Sequence, residues 1–362
     1  MAFALKRGRK ANLPTKEARL YEQLADKVVR CLVCPRKCVI KPAQRGFCRT
    51  RENRDGKLYT LIYAEATSMA VDPIEKKPLF NFWPGSLIFS ISTLGCSFTC
   101  PWCQNWQISQ ASPGEIVTEQ VAPERVVELT KRYKCRSIAY TYNEPIIWLE
   151  YILDTAQLAK KENILNVLVT NGFISLEALE VIAPYIDAAN VDIKGFTEEF
   201  YRKYCSATLK GVLDATEAMV KKGIHVELTT LIVPSINDAP EEIKHLCQWV
   251  GTELGPDTPL HFSQFYPMYK MSYLQPTPVS TLVRAREIAL NEGLNYVYIG
   301  NVPGEKGENT YCPKCKTLLV ERFGFEITKW NLTEKMQCPK CNTPIAIKGR
   351  YEARGTWHPL AV

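Results

Sequence analysis

The sequence predicts an α/β protein: a partial, TIM-like (β/α)6-type barrel carrying a small four-cysteine module at each end. Two observations predict it. From residue 87 to about residue 300, short apolar runs alternate with helix-like stretches, the pattern of βαβ units around a parallel sheet. Outside that region the alternation stops and cysteines gather in fours. The expected domains are therefore residues 1–85, 86–301 and 302–362.

The N-terminal region opens on a basic stretch, MAFALKRGRK, that no apolar signal region follows, so the chain reads as soluble and cytoplasmic with no membrane partner. Residues 15–30 (TKEARLYEQLADKVVR) read as a polar-rich amphipathic helix, and RENRDGKLYTLIYA as a hairpin turning at Asp55-Gly56. VDPIEKKPLFNFWPGS, with its three prolines, reads as an irregular connection.

Seven apolar runs follow: LIFSIS, SIAYTY, NVLVTN, AANVDIK, HVELTTLIV, LHFSQFYP and YVYIGN. Segments such as PERVVELTKRY, PIIWLEYILDTAQLAKK, VLDATEAMVKKG and EEIKHLCQWVGTEL separate them as helices. Active sites of parallel α/β barrels lie at the C-terminal ends of the strands, and the polar motifs collect there. Thr141-Tyr142-Asn143-Glu144-Pro145 ends the second strand, Thr170-Asn171-Gly172 the third, Asp192-Ile193-Lys194 the fourth, and Gln264 and Tyr266 the sixth. Each has a structural alternative. Glu144 suits a helix N-terminus, Asn171-Gly172 suits a turn, and Asp192 and Lys194 share a strand face and can pair with each other. Their convergence on one rim favours function. His225 and His261 open their strands, at the opposite end, and read as structural.

The chain has 14 cysteines, and in a cytosolic protein clustered C-x-x-C pairs read as metal sites rather than disulfides. Cys31, Cys34, Cys38 and Cys48 form one group, Cys312, Cys315, Cys338 and Cys341 another, and Cys96, Cys100 and Cys103 stand between them in GCSFTCPWCQN. Cys135, Cys205 and Cys247 remain, and read as packing residues, with Cys205 also a candidate hydrogen donor to a substrate radical. The formal charge of +7 counts thiols as neutral. Metal-bound thiolates bring the loaded chain to about +2, which removes most of the bulk-charge argument for a nucleic-acid partner.

The triplet raises a chemical question, because four cysteines close a site and three do not. A cubane iron–sulfur cluster takes one cysteine per iron, so this loop holds three irons and leaves the fourth open to a small chelating molecule. The alternative is a zinc site borrowing a distant histidine, and zinc sites usually pair two-residue gaps instead. Trp102 and Trp106 flank the triplet and read as shields.

The CxxxCxxC from Cys96 to Cys103, with an aromatic before the third cysteine, resembles the radical S-adenosylmethionine (SAM) superfamily. CLVCPRKC, DPIEKKPLFNFWPGS, GCSFTCPWCQNWQIS, YTYNEP, VDIKGF and YPMYKM resemble the radical SAM member of the AmmeMemoRadiSam group, related to pyruvate formate-lyase activating enzymes. Relatives often carry His where Asn81 stands, so no role falls on that position. The resemblance implies that Cys96, Cys100 and Cys103 hold a [4Fe-4S] cluster whose open iron chelates SAM. It further implies that Asn143-Glu144 meets the SAM amino group, that Asp192 and Lys194 reach its ribose and carboxylate, and that Asn171-Gly172 lies by its methionine part. The implied chemistry is reductive cleavage to a 5′-deoxyadenosyl radical that abstracts hydrogen from a substrate, with an electron donor such as ferredoxin or flavodoxin. The protein's share is to position the cofactor and exclude water.

The two C-P-K-C knuckles of the last group form a zinc-ribbon arrangement, whose lysines would permit docking to a macromolecular substrate. The first group suits structural zinc or an auxiliary iron–sulfur cluster, since both use four thiolates. The expected function is a radical SAM enzyme, with a protein substrate as in glycyl-radical activation. One rival is RNA modification, suggested by the ribbon and the basic N-terminus. Another is a metal-binding scaffold with a vestigial SAM site.

Overall fold

The computed structural model describes residues 15–353 and the strand Leu360–Ala361; the basic KRGRK stretch lies outside the described residues. The alternation in the middle of the chain becomes one sheet. Strand β1 (Ser68–Pro73) runs antiparallel to β2 (Leu87–Ser92). Parallel strands β3 (Ser137–Tyr140), β4 (Leu165–Thr170), β5 (Ala188–Asp192), β6 (His225–Ile232), β7 (Leu260–Gln264) and β8 (Val297–Gly300) then follow in chain order. Between β2 and β8 the crossovers are α1 (Pro123–Arg132), α2 (Leu149–Lys161), α3 (Leu176–Ile182), α4 (Leu209–Lys221), α5 (Pro240–Trp249) and α6 (Val279–Asn291). YVYIGN thus adds a seventh parallel strand to the six-unit barrel. Leu360–Ala361 pairs with β1, and β8 ends the other edge, so the barrel is open.

The segment after β1 enters that barrel rather than merely bridging it. Asn190 Nδ2 donates to the Pro78 carbonyl at 2.7 Å. The backbone N–H groups of Phe80 and Asn81 both donate to the Glu227 carboxylate, at 2.9 and 2.7 Å. His225 and His261 contact the same carboxylate at 3.1 and 2.8 Å, which agrees with a structural role. Asn81, fully buried, also accepts from Tyr298 Oη at 2.8 Å and donates to the Ala346 carbonyl at 2.9 Å. Its buried amide is thus satisfied by the last strand and by the C-terminal module together.

The N-terminal region departs from expectation. Residues 15–30 form no amphipathic helix. They run as Lys16–Glu17, Tyr21–Gln23, a short 3-10 turn at Ala25–Lys27, and Val29–Cys31. Tertiary pairing overrides helix propensity: Lys16–Glu17 pairs with the Lys57–Thr60 arm of the hairpin, and Val29–Cys31 pairs with both Tyr21–Gln23 and Val39–Ile40. Val29 and Cys31 alternate inward while Arg30 stays out, the period-two burial of a strand. The hairpin forms as expected, with arms Arg51–Arg54 and Lys57–Thr60 around Asp55-Gly56.

The C-terminal module is a three-stranded antiparallel sheet of Thr310–Tyr311, Leu318–Phe323 and Glu326–Trp330. It does not hang free: Leu319, Val320, Cys312 and Cys338 pack in one core with Phe80, Tyr296 and Tyr298. Arg322, buried, donates to the carbonyls of Glu308 and Phe80 and to Thr310 Oγ1.

Candidate active site

The loop leaving β2 is shaped by Gly95. Its φ is +85°, and a Cβ there would fall 2.5 Å from Thr50 Cγ2 and 2.9 Å from the Cys48 carbonyl, so only glycine fits. Asn143 fixes the same turn, donating to the Gly95 carbonyl at 2.9 Å and accepting from the Thr93 N–H at 3.3 Å. Cys96 Sγ accepts from the Phe98 N–H at 3.3 Å and lies 3.8 Å from Asn171 Nδ2. Cys103 Sγ contacts Ser109 Oγ at 3.2 Å. Burial pushes the Cys96 and Cys103 thiols up, and the contact with Cys205 does the same for Cys100. None of them is a ready nucleophile; each becomes a thiolate when a metal replaces its proton.

The three cysteines share one cavity of about 310 Å³ with Asn143, Glu144, Asn171, Asp192 and Lys194. Four strand ends therefore deliver their polar residues to one place. Glu144 accepts from the Ile146 N–H at 3.0 Å, the Asn171 N–H at 2.8 Å and Thr170 Oγ1 at 2.9 Å. It thus caps the helical turn after it and also bolts β3 to β4. Burial nevertheless pushes its carboxyl up to about 7. Lys194 Nζ pairs with Asp192 Oδ2 at 2.8 Å. Burial opposes the Lys194 charge, but the Asp192 carboxylate outweighs it and holds the ammonium above its ordinary range.

Other expected residues fall elsewhere. Gly172 is not among the cavity's lining: its φ is +72° and a Cβ would meet Val191 and Val212 below 3 Å, so it is a packing and turn residue. Gln264 donates to the Thr277 carbonyl, and Tyr266, largely exposed, to that of Asn301. Trp102 is buried and lines the cavity, whereas Trp106 stacks on Tyr269 outside it. Cys205 is buried 3.8 Å from Cys100 and does not line the cavity. Sequence reasoning missed Lys76, Lys77, Asn105 and Asn301, which do line it, as does Tyr142 of the second strand's polar motif. Tyr142 holds φ +69° while its Oη donates to Asp72 at 2.6 Å, and Asp72 also pairs with Lys77 at 2.6 Å. A tyrosine in the left-handed region is uncommon and costs strain. The KK pair of a proline-rich connection carried no signal of its own.

These residues fit a cluster with SAM. Three cysteines and no fourth line a cavity roomy enough for a small molecule, and both a carboxylate and an ammonium face it. The sulfurs of Cys96, Cys100 and Cys103 are not drawn together as around a single ion. Among the described residues, the group gathered that tightly is Cys312, Cys315, Cys338 and Cys341, whose sulfurs lie within 4.8 Å of one another.

The comparisons agree with this geometry. Residues 90–250 match the model of the radical SAM superfamily, so the chain carries a radical SAM domain. It is 48% identical to an uncharacterized protein of Methanocaldococcus jannaschii, over 92% of this chain and 99% of that one. It is 24% identical to the pyruvate formate-lyase-activating enzyme of Clostridium pasteurianum, over 42% of this chain and 64% of that one. The Escherichia coli K12 pyruvate formate-lyase 1-activating enzyme is 22% identical, over 54% and 85%. A radical SAM methyltransferase structure from Sphaerobacter thermophilus aligns with TM-score 0.49 and 13% identity, over 63% of this chain and 71% of that one. A radical SAM domain implies a [4Fe-4S] cluster and SAM. No helix among the described residues is long and apolar enough to cross a membrane.

Proposed function

We propose that the chain is an activase-like radical SAM enzyme that acts on a macromolecular, protein substrate. The observation that carries the catalytic part is the convergence of Cys96, Cys100 and Cys103 with Glu144, Asn171, Asp192 and Lys194 on one cavity. The relatives named pyruvate formate-lyase-activating enzyme support the choice of substrate class. With its cofactors bound, the site supplies a one-electron cleavage of SAM to methionine and a 5′-deoxyadenosyl radical that takes hydrogen from the substrate.

The chain's own residues then have definite tasks. Cys96, Cys100 and Cys103 hold three irons and no fourth ligand competes for the last. Glu144, locked by its three donors, sets the position of Asn171 and presents acceptor oxygens to the SAM ammonium. Asp192 accepts from the ribose hydroxyls, and Lys194 pairs with the SAM carboxylate. Trp102, buried beside Phe200 and Tyr204, keeps water from the radical. The ribbon sulfurs fit a structural zinc ion, which we assign to Cys312, Cys315, Cys338 and Cys341.

The test is anaerobic reconstitution with iron and sulfide, addition of SAM and dithionite, and quantification of 5′-deoxyadenosine. Product is expected from the wild type and absent from C96A/C100A/C103A. No product from a protein shown to carry its cluster would sink the reading.

A further inference from the structure

We propose that Cys31, Cys34, Cys38 and Cys48 bind a second [4Fe-4S] cluster and not a zinc ion. Their spacing alone separates nothing, since both groups take four thiolates. The structure supplies three observations that do.

The first is the spread of the sulfurs. A zinc ion holds its four thiolates at about 2.3 Å and leaves no void among them. The ribbon shows that packing, with Cys312 and Cys315 each 3.5 Å from a sulfur of the opposite knuckle. The four N-terminal cysteines are not gathered to within 4.8 Å. They instead line a partly open cavity, together with Arg36 and Arg51. A cubane core, which would place two irons and their bridging sulfides between any two thiolates, takes a wider spread of sulfurs than a single ion does.

The second is a pair of unanswered donors. Arg51 is 1% exposed; its terminal nitrogens are taken by Glu150 and the Ile147 carbonyl, and its Nε–H has no acceptor. Arg36 also lines the cavity, with its Nε–H buried and unpartnered. Buried donors are rarely left unpaired. The sulfides of a cluster accept such N–H groups, and the Arg36 guanidinium, which unlike Arg51 has no carboxylate partner among the described residues, offsets part of the negative charge of four thiolates.

The third is the location. Arg36 donates to the Ser97 carbonyl at 3.1 Å, Ser97 lines this cavity, and the preceding Cys96 lines the active-site cavity. A Cβ on Gly95 would fall against the Cys48 carbonyl and Thr50, so the two cysteine loops lie side by side. With all four irons ligated by cysteine the second cluster has no open position, so it suits one-electron transfer and not substrate ligation.

The experiment is metal and sulfide analysis with Mössbauer spectroscopy on anaerobically purified C96A/C100A/C103A, which lacks the first cluster. The expected result is about four irons and four sulfides per chain, lost on adding C34A and C38A. Absence of iron together with a second zinc equivalent would overturn the proposal. If the triple variant does not fold, the intact protein gives the answer: two clusters, of which one responds to SAM, are expected. A single cluster that responds to SAM overturns the assignment. Neither readout depends on catalysis, so failure here is distinct from failure of the proposed activity.

Discussion

Asp192 and Lys194, two residues apart at the end of β5, form an ion pair of 2.8 Å at the edge of a cavity that three cysteines share. A pair so placed is half satisfied by itself, because each charge keeps room for one more partner. A zwitterionic ligand with hydroxyls offers both. We therefore expect Lys194→Ala to weaken SAM binding to the reconstituted protein by at least about tenfold, or ~1.4 kcal/mol. Equilibrium dialysis measures it. Affinity within twofold of wild type would leave the pair a purely structural one.

Glu144 satisfies two backbone N–H groups and a hydroxyl at once. Glu144→Ala strands these donors in a buried site, at a cost of about 1–3 kcal/mol for each one left unpaired. Denaturant unfolding should show the loss, and 5′-deoxyadenosine formation should fall with it. Unchanged stability would mean that water replaces the carboxylate.

Gly95→Ala tests the fit between the N-terminal module and the cluster loop. The added methyl meets Thr50 and the Cys48 carbonyl in a left-handed turn, and overpacking of this kind costs about 1–3 kcal/mol. The chain should still fold but retain less iron after reconstitution, read from its visible absorbance. Full iron occupancy would show that the loop shifts freely.

The pH dependence of stability should carry the mark of Glu227. Burial raises a carboxyl, but hydrogen bonds and charge from His225 and His261 bring this one from 4.5 down to about 2. A depressed acid contributes stability that is complete above 4.5 and lost as pH falls through about 2. Urea midpoints of wild type and Glu227→Gln should therefore differ above pH 4.5 and converge towards pH 2. Acid strips metal from both chains alike, so the difference between them is the readout. A gap that stays constant with pH would disprove the assignment.

If the ribbon sulfurs hold zinc, a chelator should remove one equivalent and lower the melting temperature by on the order of 5 °C. The reason is that the knuckles share a core with Phe80 and Tyr298 of the barrel. A melting temperature unmoved by zinc loss would make the ribbon an independent unit.

The strands of the barrel were legible because LIFSIS, NVLVTN and HVELTTLIV are apolar runs with little else to become. The convergence of Glu144, Asn171 and Asp192 followed from topology, since a parallel barrel puts its strand ends on one rim. Residues 15–30 were misread because their helix-like polarity is local, whereas the pairing of Lys16–Glu17 with the hairpin is not. Lys76 and Lys77 stayed hidden for a related reason. Their place in the cavity depends on Asn81 being seized by Tyr298, more than two hundred residues later. Cys205 reached Cys100 through a π-helical turn, Tyr201–Cys205, that no periodicity announces.

That long reach has a consequence for how the enzyme is made. The segment carrying Pro78, Phe80 and Asn81 leaves the ribosome early, yet its partners Asn190, Glu227, Tyr298, Arg322 and Ala346 emerge in succession long afterwards. During synthesis the cysteine loop is already outside while the barrel's inner lining is still missing. The end of the barrel opposite the cysteine loop is therefore closed out of chain order, when Tyr298 and Ala346 take up the two ends of the Asn81 amide.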